Sequence, residues 1–267
     1  MDTGYCKPDE EKHKHYHDDD FDHKGFLDTF WCDEKYELIH ESLEFPLKKL
    51  HEIFSSEYVK GNTVLDFTLG AGIYSLITAA NVFKEIYVAE VTNNGIKEFE
   101  RWLNKEPGVS DWSCATKFVA ELEGKRDGWQ EKEDKIRRAI KKVVKWDICG
   151  RRPVPKELPQ VDCVISLWIL NIISKTKAEF KINLKSLVSQ LKTGGYLMFF
   201  AVINMTYYIF GGHKFFVLAT DENFLREAAR EAGLVIQKFE LQLSSKCTTL
   251  VDYDKVAFLL ARKEKDD

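Results

Sequence analysis

The sequence predicts an α/β fold, a mostly parallel sheet flanked by helices with an antiparallel pair of strands at one edge. Three observations predict it. From residue 61 onward, short β-branched or aromatic runs alternate with segments of helical period. One run, DCVISLWIL at 162–170, is almost continuously apolar, as a strand buried on both faces is. The last two strand-like runs, 235–241 and 255–261, have no helical period between them, which favours antiparallel pairing. Strands alternating with helices join through right-handed crossovers into a parallel sheet.

Residues 1–20 carry charge and histidine but no apolar period, which predicts a solvated tail. Phe21, Phe26, Phe30 and Trp31 then bring more aromatic surface than a tail needs. A helix is expected at 36–54, where Leu38, Ile39, Leu43, Leu47, Leu50 and Ile53 recur near a 3.6 period. TVLDF at 63–67 reads as the first strand, followed by TLGAG and a helix from near Ile73. EIYVAE at 85–90 reads as the second strand, followed by a helix through Glu98, Phe99 and Trp102. A short strand is expected at 116–120. Residues 130–145 read as one amphipathic helix with Ile136, Ile140, Val143 and Val144 on a face and Glu131–Lys135, Glu133–Arg137 and Asp134–Arg138 spaced as helical ion pairs. A helix at 177–191 is closed by the glycines of Lys192-Thr193-Gly194-Gly195, and YLMFFAVI at 196–203 is another buried strand. A helix at 222–232 ends at Gly233, before the two final strands. No repeat or linker divides the chain, which predicts one domain over 21–267.

Composition excludes several classes. The 267 residues suit one large domain or two small ones at roughly 150 residues each. Lys and Arg number 39 against 43 Asp and Glu, a net charge of −4, which argues against a nucleic-acid footprint. No apolar run reaches the roughly 18 residues of a membrane-spanning helix, and the N-terminus lacks an apolar signal core, so no membrane partner and a cytoplasmic location are expected. Six cysteines with no CxxC pair predict free thiols in a reducing compartment, with Cys114, Cys149 and Cys163 as buried small residues. His13, His15, His17 and His23 lie beside Asp18, Asp19 and Asp20; without an ordered scaffold they read as a pH-responsive tail, and no metal is expected.

Ligands of open α/β sheets bind outside the carboxyl ends of the strands, where the winding reverses. The first strand therefore bears on the cofactor, and it runs Val64-Leu65-Asp66-Phe67-Thr68-Leu69-Gly70-Ala71-Gly72-Ile73-Tyr74. Gly70 and Gly72 allow a sharp turn and close approach of a ligand, but Thr68 interrupts the GxGxxG of a dinucleotide site. Asp66 at the strand end would repel a phosphate and favours a cationic ligand, such as a sulfonium carrying an amino-acid group. That leaves a nicotinamide-dinucleotide oxidoreductase poorly supported. Glu90 ends the second strand 24 residues on, where a carboxylate can accept from both ribose hydroxyls. Asp147 follows the 130–145 segment, where a carboxylate can accept from an adenine amino group.

Further stretches carry a resemblance. Leu65-Asp66 with Gly70 and Ile73-Tyr74, the run FERWLNKEP at 99–107, Asp111-Trp112-Ser113, Leu122-Glu123-Gly124 with WQEKE at 129–133, Asp147, LKTGG at 191–195, and Tyr207-Tyr208 before Gly211 resemble the small-molecule amine methyltransferases, which include nicotinamide, phenylethanolamine and indolethylamine N-methyltransferases. The resemblance begins near Phe21. It implies a Rossmann-like seven-stranded methyltransferase sheet, S-adenosyl-L-methionine as cofactor, and an N-terminal aromatic lid over 21–60. Carried across by motif, the donor site comprises lid residues Phe26 and Trp31, then Asp66, Thr68, Leu69, Gly70, Tyr74, Glu90, Gly95, Asp147, Ile148 and Leu167. Several depart from the family pattern: Phe26 and Trp31 stand for tyrosines, Thr68 for glycine, Leu69 for serine, Glu90 for aspartate and Gly95 for asparagine.

On the acceptor side, the family's acidic or hydroxyl positions read Ala201, Met205 and Val217, with Tyr207, Tyr208 and His213 as nearby polar groups. A methyl in place of a carboxylate cannot pair with an amine, so nicotinamide is not implied. An apolar floor suits an uncharged hydrophobic acceptor, an aromatic amine or a thioether. The expected function is S-adenosylmethionine-dependent N-methyl transfer to a small amine-like molecule by a monomer. The alternatives are a catalytically silent donor-binding paralogue and a thioether methyltransferase.

Overall fold

The computed structural model describes residues 13–16, 21–32, 38–70, 72–125, 127–147, 158–245 and 248–264. A seven-stranded sheet is built from β1 (Thr63–Asp66), β2 (Glu85–Glu90), β3 (Ile140–Lys145), β4 (Val161–Leu167), β5 (Leu191–Ile203), β8 (Leu234–Leu243) and β9 (Lys255–Lys263), in the order β3-β2-β1-β4-β5-β9-β8. The pairs β3–β2, β2–β1, β1–β4 and β4–β5 are parallel; β5–β9 and β9–β8 are antiparallel. The expected architecture, a mostly parallel sheet with an antiparallel edge, is therefore present. A separate hairpin pairs β6 (Tyr207–Phe210) with β7 (His213–Phe216). The helices are α1 (His23–Leu27), α2 (Phe45–Ser55), α3 (Leu76–Ala79), α4 (Asn93–Leu103), α5 (Ser113–Leu122), α6 (Trp129–Ala139), α7 (Ile169–Ile173), α8 (Lys177–Val188) and α9 (Glu222–Glu231). Two π-helical turns, Asp28–Cys32 and His40–Glu44, precede α2.

Burial explains the centre of the sheet. All four residues of β1 are buried, and β4 is buried at every position but Asp162, because helices cover both faces. Asp162 ties the amino ends of the strands together: its carboxylate accepts from the Asn62 and Thr63 amides at 2.8 and 2.9 Å and from Lys192 Nζ at 2.7 Å. Thr92, Thr176 and Asp221 cap α4, α8 and α9 through their side-chain oxygens.

Several elements differ from expectation. The segment 130–145 is not one helix. It breaks after Ala139 and becomes β3, an edge strand whose Lys141, Lys142 and Lys145 face solvent while Val144 is buried beside β2. The observed Glu133–Arg137 ion pair, at 3.1 Å, belongs to α6. Residues 116–120 are helical within α5, burying Ala115, Thr116, Val119 and Ala120 on one face. The first βα turn yields only the four-residue α3, three residues later than expected. The 162–170 run stops at Leu167, because Trp168 turns the chain at φ +67° into α7. Lys192–Gly195 does not cap a helix: α8 ends at Val188, and these residues bulge at the start of β5, between the Val161–Leu191 and Cys163–Tyr196 pairs. Nor is the whole of 1–20 solvated. Lys14 donates to Lys214 O at 2.9 Å and accepts from Phe216 N at 3.0 Å, which lays 13–16 along β7 and buries Tyr16. Cys163 is buried and Cys114 half-buried; Cys149, His17 and Asp18–Asp20 lie outside the described residues.

Candidate functional site

The strand order reverses between β1 and β4, and predicted donor residues stand at the carboxyl ends of β1, β2 and β4. Asp66 closes β1 at 2% exposure, and Thr68 Oγ1 donates to its Oδ1 at 2.8 Å. Glu90 closes β2 at 2% exposure. Its Oε1 accepts from the amides of Val91 and Thr92 at 2.7 and 2.9 Å, and its Oε2 from the Tyr16 hydroxyl at 3.1 Å. Burial pushes Asp66 up to about 7 against the Ser75 and Thr68 hydroxyls, the Glu90 charge adding to the rise. Burial likewise pushes Glu90 up to about 7 against the donors that solvate it. Among the described residues no Lys or Arg forms an ion pair with either acid, so a positively charged or hydroxyl-rich ligand is the natural complement. Asp147 is exposed, two residues beyond β3, and the preceding Trp146 donates to Glu90 O at 2.8 Å. The three predicted acids thus follow the ends of three adjacent strands. Ile148 lies outside the described residues.

The first turn is shaped by its glycine. Gly70 adopts φ +99°, and a Cβ there would stand 2.5 Å from the Trp31 ring. Leu69 donates to Leu167 O at 3.1 Å, holding the turn against the end of β4. Trp31 packs on Tyr74 with centroids 4.6 Å apart, and Phe26 meets Trp31 edge-on at 5.5 Å. Gly95 lies in the first turn of α4, where a Cβ would approach the Glu90 carboxyl carbon to 2.7 Å.

Sequence reasoning missed a coupling between the N-terminal segment and this site. The Tyr16 hydroxyl accepts from Gly70 N at 3.2 Å while donating to Glu90. His23, buried in α1, is hydrogen-bonded to Thr92 Oγ1 at 2.9 Å, and burial lowers it to about 4, leaving the ring neutral. Only one signal was available for Tyr16, an aromatic residue set among histidines and acids.

An apolar cavity lies beside the first turn. Phe26, Trp31 and Leu69 of the N-terminal segment and the first turn line it together with Trp168, Met205 and Tyr208. Of the predicted acceptor positions, Met205 is on its wall. Ala201 is buried in β5, Val217 is buried after β7, and neither belongs to the lining. Tyr207 is half-buried with Lys214 Nζ 4.1 Å from its ring centroid, and His213 is exposed. The cavity lining is not wholly apolar: Glu41 lines it at 4% exposure and accepts from the Tyr253 hydroxyl and the Ser245 amide. Glu41 follows Leu38 by one helical step, so an acid on the apolar face was the sequence signal for it.

The chain matches the NNMT/PNMT/TEMT family over residues 10–264. It is 34% identical to nicotinamide N-methyltransferase of Sus scrofa over 245 residues, covering 91% of this chain and 93% of that protein. It is 33% identical to indolethylamine N-methyltransferase of Oryctolagus cuniculus, covering 84% and 86%. Among solved structures, the N-methyltransferase NodS of Bradyrhizobium japonicum with S-adenosyl-L-homocysteine has the same fold at a TM-score of 0.52 and 12% identity, over 91% of this chain and 99% of that one.

Proposed function

Because the chain belongs to the NNMT/PNMT/TEMT family, we propose that it is an S-adenosyl-L-methionine-dependent methyltransferase acting on the nitrogen of a small amine-like acceptor. The observation that carries this reading is the pair of buried acids Asp66 and Glu90, without a Lys or Arg partner among the described residues, at the ends of β1 and β2 beside the Gly70 turn. These residues fit the donor. Glu90 can accept from ribose hydroxyls, Asp66 lies where a cationic amino-acid group gains from a carboxylate, and the Gly70 amide can donate to a ligand oxygen. In that arrangement Asp147 faces the adenine, and Thr68, Leu69, Tyr74, Gly95 and Leu167 shape the cleft beneath the Phe26 and Trp31 lid.

When bound, the donor supplies an electrophilic methyl group, so that an acceptor nitrogen forms its N–C bond as the C–S electron pair stays with sulfur. The work left to the protein is alignment and exclusion of water. Leu69 and Trp31 border both the first turn and the apolar cavity, so an acceptor held in that cavity would lie directly beside a donor at the turn. The aromatic lid residues close that junction to solvent. The Tyr16 hydroxyl uses the same Glu90 and Gly70 groups that a donor would use, so donor binding must displace it.

That overlap favours a second reading, a donor-binding protein without turnover. Calorimetry with S-adenosylmethionine and S-adenosylhomocysteine, followed by transfer assays on an amine panel with labelled donor, separates the two. Binding with methyl transfer to nitrogen is the expected result. Binding without transfer supports the second reading, and absence of binding overturns both.

A further inference from the structure

Resting on the methyltransferase reading above, we propose that Glu41, backed by Tyr253, is the acceptor-binding residue of this chain, and that its acceptor is a compact aromatic or arylalkyl amine whose protonated head meets that carboxylate inside the apolar cavity. A buried carboxylate is costly unless it is hydrogen-bonded or paired. Glu41 has two neutral donors, the Tyr253 hydroxyl on Oε2 and the Ser245 amide on Oε1. Among the described residues no Lys, Arg or His forms an ion pair with it. Two carboxylate oxygens offer about four acceptor sites, so these donors leave room for an ammonium.

Position gives this acid its role. The cavity that Glu41 lines also reaches Leu69 of the first turn and Trp31 of the lid, which are donor-side groups. Phe26, Phe30 and Trp168 line the same cavity, and such an aromatic lining accepts an aromatic body and attracts a cation. A second hollow shares Leu38, Val251 and Tyr253 with this cavity and carries Asp252 and Asp254. An acidic approach of this kind steers cations inward. The chain therefore supplies a carboxylate from the turn before α2 to a cavity whose Met205 wall carries none. An ammonium has no lone pair for transfer. Passing one proton to a Glu41 oxygen leaves a neutral amine and a carboxylic acid, with the total charge unchanged.

The test uses the full chain saturated with S-adenosylhomocysteine and two probes of one shape, benzylamine and benzyl alcohol, titrated by calorimetry, with KM and kcat for benzylamine measured in the presence of S-adenosylmethionine. A hydrogen bond to a charged group implies that Glu41→Gln weakens benzylamine binding and raises its KM roughly 10- to 100-fold. Benzyl alcohol binding and S-adenosylhomocysteine affinity stay within about twofold. Tyr253→Phe keeps the carboxylate but removes its backing donor, and weakens benzylamine by about 2- to 10-fold. It serves as the second variant if Glu41→Gln lowers the melting temperature too far for binding work. Benzylamine binding unchanged in both variants overturns the assignment while the methyltransferase reading stands, and so does a wild-type preference for the alcohol. Failure of wild type to bind S-adenosylhomocysteine overturns the methyltransferase reading itself, and the assignment with it.

Discussion

Asp66 and Glu90 lie at 2% exposure at the ends of neighbouring strands, and their ionisation opposes folding. Their ordinary values are 3.8 and 4.5, and burial raises both to about 7. At low pH both folded and unfolded chains hold these protons, and no penalty exists. As pH rises from about 4 to about 7 the unfolded chain releases protons that the folded chain keeps, so these two groups cost stability progressively, and the cost is complete above about 7. His23 acts with the opposite sign, since burial lowers it from 6.5 to about 4, and its contribution is lost as pH falls through that window. The difference between a variant and wild type removes this second effect. Asp66→Asn should be near neutral in urea unfolding at about pH 4 and more stable than wild type by on the order of 2 kcal/mol at about pH 8. A difference independent of pH would contradict the assigned cause. The same variant should bind S-adenosylmethionine at least about tenfold more weakly.

The first turn of α4 shows how one missing side chain shapes an element. Alanine in place of glycine within a helix ordinarily stabilises by roughly 0.5–1 kcal/mol. At Gly95 a Cβ would meet Glu90 Cδ and Thr92 Oγ1 at 2.7 Å, disturbing both the cap of α4 and the acid at the end of β2. Gly95→Ala should therefore destabilise by about 1–2 kcal/mol and weaken donor binding, read by thermal unfolding and calorimetry. A more stable variant with unchanged donor affinity would show that Glu90 is not held by this packing. Elements with a strong local pattern were legible from sequence: β2 carries the expected bounds, and α9 starts as expected at Glu222. β3 was not, because α6 and β3 run on without a glycine or proline between them, and Ile140, Val143 and Val144 fit either period. An edge strand with lysines outward has a polar face like that of a solvated helix, and pairing with β2 decides between them.

Across the molecule, the N-terminal segment engages the same groups at the strand ends that a donor would use. Tyr16 joins the Gly70 turn to Glu90, while Lys14 joins the segment to β7. S-adenosylmethionine at about 100 times its Kd should stabilise the protein by about 2.7 kcal/mol, a rise of roughly 5–10 °C in melting temperature. In Tyr16→Phe the ligand-free protein should lose about 1 kcal/mol, and donor affinity should rise a few-fold because no hydroxyl has to be displaced. Weaker donor binding in that variant would mean that Tyr16 assists the donor and does not compete with it.

By itself the sequence determined the alternation of strands and helices, the antiparallel edge, and the acids that close the first two strands, because each rests on local period or on spacing within a βα unit. Tertiary structure alone decided that Tyr16 reaches Glu90 across 74 positions and that Glu41 meets Tyr253 across 212. Such contacts are made by packing the N-terminal segments onto distant parts of the chain, and neither period nor propensity encodes which buried polar group will find which partner.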